Sequence, residues 1–151
     1  MGCDIHAVLQ EFNAQHNIWV TLIKDVFPNR DYALFSFLSG VRGCGGPYDD
    51  IATPGLPTDF QVDAQMHHDG FFIGEHSFGH ILVSDFCDAS TPDLSDEKKF
   101  EVETYRTGYT VTWLDGNEDD EYYWIRQYQA ALRAFFPNDS ERFRLVFGYD
   151  S

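Results

Sequence analysis

The sequence predicts a single α+β domain with a mainly antiparallel sheet. Three observations point there. Strand-like and helix-like segments do not alternate regularly, which disfavours a parallel βαβ sheet. Both ends of the chain read as strands, the first of them as a hairpin. One stretch near the C-terminal end, about 118–136, has clear helical periodicity. The chain has 151 residues, of which 43% are hydrophobic and 17% aromatic. That is one domain's length, with enough apolar mass to form a core and too many aromatics for wholesale disorder.

The elements follow in order. Along 4–12, Ile5, Ala7 and Leu9 point one way and Asp4, His6, Val8 and Gln10 the other. Residues 13–17 are polar and turn-like. Residues 18–23 are β-branched and aromatic, so the two strands form an N-terminal hairpin. After the break at Pro28-Asn29, a helix is expected near 30–41. Ala33, Leu34, Phe37, Leu38 and Val41 fall at helical spacing, with Asn29 as N-cap. A long irregular loop follows at about 43–66, rich in glycine and proline. Such loops inside a compact domain are usually functional or mobile.

Short strands are expected at 71–73 and 81–83, then a brief helix to Ala89 capped by Ser84-Asp85. Residues 90–96 read as a loop and 100–113 as strand-like, with a turn or bulge at Thr107-Gly108. In the long helix near 118–136, Ile125, Tyr128, Leu132 and Phe135 make one stripe. Glu118, Asp119, Asp120 and Glu121 sit at its positive end, and Pro137 stops it. Residues 143–149 form the C-terminal strand.

Charge narrows the function. There are 25 acids and 10 bases, a formal net charge of −15. Binding of long nucleic acid through phosphates needs a basic footprint, so it is not expected. Binding to anionic membranes is disfavoured for the same reason, and no apolar run approaches the ~18 residues of a spanning helix. The cysteines, Cys3, Cys44 and Cys87, are odd in number and show no CxxC spacing. That fits a reducing compartment. No secretory signal precedes the first strand, and a cytoplasmic location is expected. Between Gly43 and Glu97 there is no Lys or Arg, yet the stretch holds eleven acids and four of the six histidines. A solvated acidic face, salt adaptation, a cation site and a mimic of nucleic-acid charge all read this way.

Four constellations could carry chemistry. Asp4-x-His6 places a carboxylate and an imidazole on one face of a strand, a way to offer ligands to a divalent metal. The histidine cluster joins His67, His68 and Asp69 to Glu75, His76, Ser77 and His80. Imidazoles bind metal, shuttle protons or, when protonated, donate to phosphate. Arg30 and Arg42 flank the first helix and suit bidentate capture of carboxylate or phosphate. Arg30 could equally neutralise Asp25 or Asp31, and Arg42 cover the helix C-terminus. The glycine-rich run at 40–47 could line an anion pocket with backbone amides. It lacks the Walker pattern, and neither HExxH nor GxSxG occurs in the chain.

These residues resemble those of a family of short, largely uncharacterised proteins of tailed bacteriophages and prophages. The likeness lies in Met1-Gly2-Cys3-Asp4-Ile5-His6, a strand with Trp19, Arg30-Asp31-Tyr32, Leu34-Phe35 with Gly40-Val41-Arg42, and Gly55-Leu56-Pro57. It continues in Asp69 with His76-Ser77 and in Arg144-Leu145-Val146-Phe147-Gly148-Tyr149-Asp150. The chain departs from the pattern at Gly43, where Asn is usual, and at Thr53-Pro54, where an Arg usually precedes Gly-Leu-Pro. Gly79 stands where a second Ser is common. The resemblance implies a phage-type accessory protein in the host cytoplasm and favours Asp4, His6, Arg30, Arg42, Asp69, His76 and Ser77 as its polar set.

The leading expectation is therefore a binder of a small anionic ligand, phosphorylated or nucleotide-like, as in a counter-defence protein that sequesters a nucleotide signal. Arginines and histidines would take the phosphate, acids the ribose hydroxyls or a base edge, and aromatics would stack. The alternative is a metal-dependent phosphoesterase in which Asp4, His6, Asp69 and His76 hold a divalent ion such as zinc. An acidic protein-interaction module is a third reading. A homo-oligomer is compatible with all three.

Overall fold

The computed structural model describes residues 2–41, 49–61, 75–91, 122–136 and 140–150. The expected strand at 71–73, the strand-like stretch 100–113, His67, His68 and Asp69 of the histidine cluster, and Arg42 lie outside these residues. The described chain is α+β. Strands β1 (Asp4–Asn13) and β2 (Ile18–Lys24) form the N-terminal hairpin. Helix α1 (Tyr32–Ser39) follows, then a two-residue strand β3 (Thr53–Pro54) within the expected loop. Strand β4 (His76–Leu82) runs directly into α2 (Val83–Asp88). Helix α3 (Tyr123–Phe135), a 3-10 turn at Ser140–Arg142 and β5 (Phe143–Asp150) complete it. The sheet order is β2-β1-β5-β4-β3, and each neighbouring pair is antiparallel.

Chain ends meet at the centre of this sheet. Asp4 pairs with Asp150, Ile5 with Tyr149 and Leu9 with Leu145. Because side chains alternate, Ile5, Ala7, Leu9, Leu145, Phe147 and Tyr149 share one face. All are buried, with Leu34, Phe37, Phe86 and Ile125 from the helices in the same core. On the opposite face Val8 and Val146 are buried against Phe60. Strand β5 is therefore covered on both sides, and residues 143–149 are all buried rather than alternating.

Helix boundaries moved from their expected places for local reasons. The N-cap of α1 is Asp31, not Asn29. Its Oδ1 accepts from Ala33 N at 3.0 Å and Leu34 N at 3.2 Å, which satisfies two of the orphan donors of the first turn. The helix stops at Ser39 because Gly40 takes φ +69°, a left-handed value that glycine adopts without steric cost. Three carbonyls of α1 are then met by the chain beyond the 43–48 stretch. Asp50 N donates to Ser36 O, Ile51 N to Phe37 O and Ala52 N to Leu38 O.

In α3 the buried residues are Ile125, Gln129 and Leu132, at i, i+4 and i+7. Phe135, expected in the apolar stripe, is 79% exposed. Gln129 takes its place because the end of α2 needs donors. Its Nε2 donates to Phe86 O at 2.9 Å and Ala89 O at 3.0 Å, and Arg133 donates to Cys87 O. The last carbonyls of a six-residue helix are thus satisfied from its neighbour. Helix α2 itself begins at Val83, so Ser84 and Asp85 lie inside its first turn rather than capping it.

Candidate functional site

Two groups of polar residues lie at the end of the sheet where β1, β5 and β4 run side by side. The first is built on β1 and β5. Asp4 and His6 share the second face of β1, opposite Asp150 and Gly148 of β5. His6 Nε2–H donates to Asp150 Oδ2 at 2.6 Å, and Asp4 N donates to Asp150 Oδ1 at 3.3 Å. Arg30 reaches back from the start of α1 and grips Asp4 with both arms, Nε to Oδ1 at 2.8 Å and Nη2 to Oδ2 at 2.9 Å. It does so over Gly2, where a Cβ would lie 1.9 Å from a guanidinium nitrogen. Tyr32 Oη accepts from Cys3 N at 3.3 Å. The Arg30 guanidinium holds the Asp4 carboxyl below its usual range, and Asp4 in turn raises Arg30.

This geometry changes the electrostatic expectation. Arg30 and His6 are among the groups expected to take a ligand's phosphate. Each is instead paired with a carboxylate of its own chain. With two carboxylates, one guanidinium and one imidazole, the cluster carries no net positive charge in either state of His6. Arg30 engages both oxygens of Asp4 and Asp150 engages His6 Nε2, so a metal at Asp4 would have to use the carboxylate's remaining lone pairs, and one at His6 its other ring nitrogen. Among the described residues no three His, Cys, Asp or Glu side chains converge to hold a metal ion. Asp69, the third ligand of the metal reading, lies outside them.

The second group is on β4. His76 pairs in register with Tyr149, which pairs in turn with Ile5. That puts His76 two strands from β1, about 10 Å away. The pairing of β4 with β5 is irregular between His76 and Gly79, and Ser77 has φ +53°. A serine in the left-handed region is uncommon and is held there by its surroundings. His76 Nδ1 and Ser77 Oγ lie 2.9 Å apart, in hydrogen-bond contact. His80, from the same cluster, has a structural task. Its Nδ1–H donates to Gly55 O at 2.8 Å while Gly55 N donates to Phe78 O at 2.7 Å, which fastens the chain after β3 to β4.

Ser77 also borders a cavity of about 260 Å³ between the C-terminal end of α1, β3 and β4. Ser39, Asp50, Thr53 and Ser77 supply its polar atoms, and Val41 and Phe78 are among its apolar walls. Asp50, like Ser77, has a positive φ, +64°. Its position follows from its backbone N–H, which donates to Ser36 O of α1, and the Ser39 hydroxyl is fixed by a 3.0 Å hydrogen bond with Tyr149 Oη. Ser77 was a candidate from its motif. Asp50 and Thr53 were not, because only the docking of 50–54 onto α1 and β4 brings them to the same space. No protein-family model, curated protein or solved structure matches the chain.

Proposed function

We propose that the chain binds a small phosphorylated or nucleotide-like ligand, without transforming it, in the cavity beside Ser77. The observation that carries this reading is the cavity itself. It is concave, apolar in part, and provided with one carboxylate and three hydroxyls, the composition expected of a small-molecule site. At about 260 Å³ it lies just below the ~300–1,000 Å³ of drug-sized sites and suits a mononucleotide rather than a longer ligand. Asp50 accepts from ribose hydroxyls, Ser39 and Thr53 complete that contact, and Phe78 lies against the base. His76, exposed and bonded to Ser77, meets the phosphate at the rim. Arg30 and His6 stand outside this contact set, since their partners are Asp4 and Asp150. In a phage setting such a protein sequesters a nucleotide signal and so acts in counter-defence.

Titration calorimetry with a panel of linear and cyclic mononucleotides tests this, with the nucleotide recovered and identified afterwards. One-to-one binding is expected, weakened at least tenfold by Asp50→Asn, a change that keeps a side chain tolerant of positive φ. Absence of heat with every member of the panel, or recovery of altered nucleotide, sinks the proposal.

A further inference from the structure

A buried arginine in this structure lacks one acceptor. Arg144, at the start of β5, shares a face of that strand with Val146. Its side chain is 6% exposed, and burial lowers its pKa more than Asp59 raises it, so the buried charge is under-compensated. Nε donates to Gln10 Oε1 at 2.8 Å and Nη1 to Asp59 Oδ1 at 2.7 Å. Nη2 is buried with no hydrogen-bond partner among the described residues. Half-exposed Arg30, by contrast, meets both oxygens of Asp4. A buried donor without an acceptor costs stability, and folded proteins rarely leave one.

Asp59 does not fill the gap. Its other oxygen, Oδ2, accepts from Trp19 Nε1 at 3.0 Å. The Trp19 ring also stacks on the guanidinium, 4.1 Å from centroid to Cζ. Three donor nitrogens, Arg144 Nη1 and Nη2 and Trp19 Nε1, thus stand around a carboxylate with only two oxygens to give. A terminal phosphoryl group has three. We propose that Arg144 and Trp19 form a phosphoryl-binding seat in which Asp59 is the resident stand-in. The incoming oxygens meet the two guanidinium arms and the indole N–H, a planar fork suited to phosphate. Asp59 turns outward, which its position permits, since its side chain is 59% exposed. The seat shares no residue with the lining of the cavity beside Ser77, so it stands apart from the nucleotide reading.

Asp59 competes for the seat, and a chain at −15 repels anions, so the free ion binds weakly. The test is a titration with inorganic phosphate, glycerol 2-phosphate and acetate, each up to about 50 mM at constant ionic strength. Nitrogen-15 NMR follows the Arg144 Nε–H and Trp19 Nε1–H signals. Both are expected to shift saturably with phosphate and to respond far less to acetate, which has only two oxygens. Asp59→Asn is expected to tighten phosphate binding about tenfold, because it removes a charged competitor. Trp19→Phe keeps a ring under the guanidinium and removes one donor, so it is expected to weaken binding severalfold, read at Arg144. Binding of both phosphate and its ester supports a seat for a phosphorylated molecule, and binding of phosphate alone supports one for the free ion. No saturable shift in either the wild type or Asp59→Asn overturns the proposal. So does equal binding of acetate and phosphate, or equal phosphate affinity in the wild type and Asp59→Asn.

Discussion

Arg144 is 5% exposed at the start of β5 and is the least expected residue of the core. Its Nε donates to Gln10 Oε1 at 2.8 Å and its Nη1 to Asp59 Oδ1 at 2.7 Å. The guanidinium also lies over Trp19, 4.1 Å from the ring centroid, and Trp19 Nε1 donates to the same Asp59. One carboxylate from the 55–61 segment thus serves two strands, and the segment is strapped across the second face with Phe60 on Val8 and Val146. The Arg144 guanidinium holds the Asp59 carboxyl below its ordinary range. A depressed carboxylate contributes stability above its unfolded pKa of ~3.9, and that contribution fades as pH falls through the folded value. Asp59→Asn should cost about 1–2 kcal/mol at pH 7, the charge-assisted bond being discounted for the exposure of Asp59. Urea unfolding at pH 7 and pH 3 checks this. The gap between wild type and variant should close at the lower pH, and an equal gap at both would refute the assignment.

At the scale of elements, the caps decide where helices begin and end, and a second aspartate shows the opposite pH sign. Asp31 caps α1 through Oδ1, while its Oδ2 is buried without a hydrogen-bond partner. Burial pushes its pKa up, against the two backbone bonds that lower it. The ionised form is the strained one, so this group's contribution is present at low pH and is lost as pH rises through the raised value. Asp31→Ala should destabilise by about 1 kcal/mol through the lost cap. Asp31→Asn keeps the capping oxygen and sheds the buried charge, so it should cost less at pH 7. Thermal melts of the three proteins between pH 4 and 7 check both orders. Wild type should gain on the Asn variant as pH falls, and the reverse trend would count against a desolvated Asp31.

Across the whole molecule, the net charge of −15 opposes compaction without preventing it. Raising sodium chloride from 0.05 to 0.5 M should lift the melting temperature by a few degrees, as screening relieves that repulsion. A melting temperature that is flat or falls with salt would mean that pairs such as Arg30–Asp4 and Arg144–Asp59 outweigh the net repulsion. The whole molecule also explains the sequence motifs. The opening Gly2-Cys3-Asp4, the Arg30-Asp31-Tyr32 turn and the closing Gly148-Tyr149-Asp150 are distant in the chain, yet they meet at the end of β1 and β5. A Cβ at Gly148 would stand 2.6 Å from the Phe78 ring, so even the glycine of that motif records a close approach. Several residues singled out as candidate ligands, Asp4, His6 and Arg30, thus also tie distant segments of the chain together.

The α+β class, the N-terminal hairpin, helix α1, helix α3 and the closing strand were legible in the sequence, because alternation and 3.6-residue periodicity are local properties. So was the division of β1 into an apolar face with Ile5, Ala7 and Leu9 and a polar one with Asp4 and His6. What only the tertiary structure decided is partnership. Arg30 belongs to Asp4, His6 to Asp150 and Gln129 to the carbonyls of α2, and Asp50 reaches Ser77 through the docking of 50–54 on α1. None of these follows from spacing, since each joins residues at least 26 positions apart. A composition can supply the charges of a site, but pairing across the fold determines which of them remain available to a ligand.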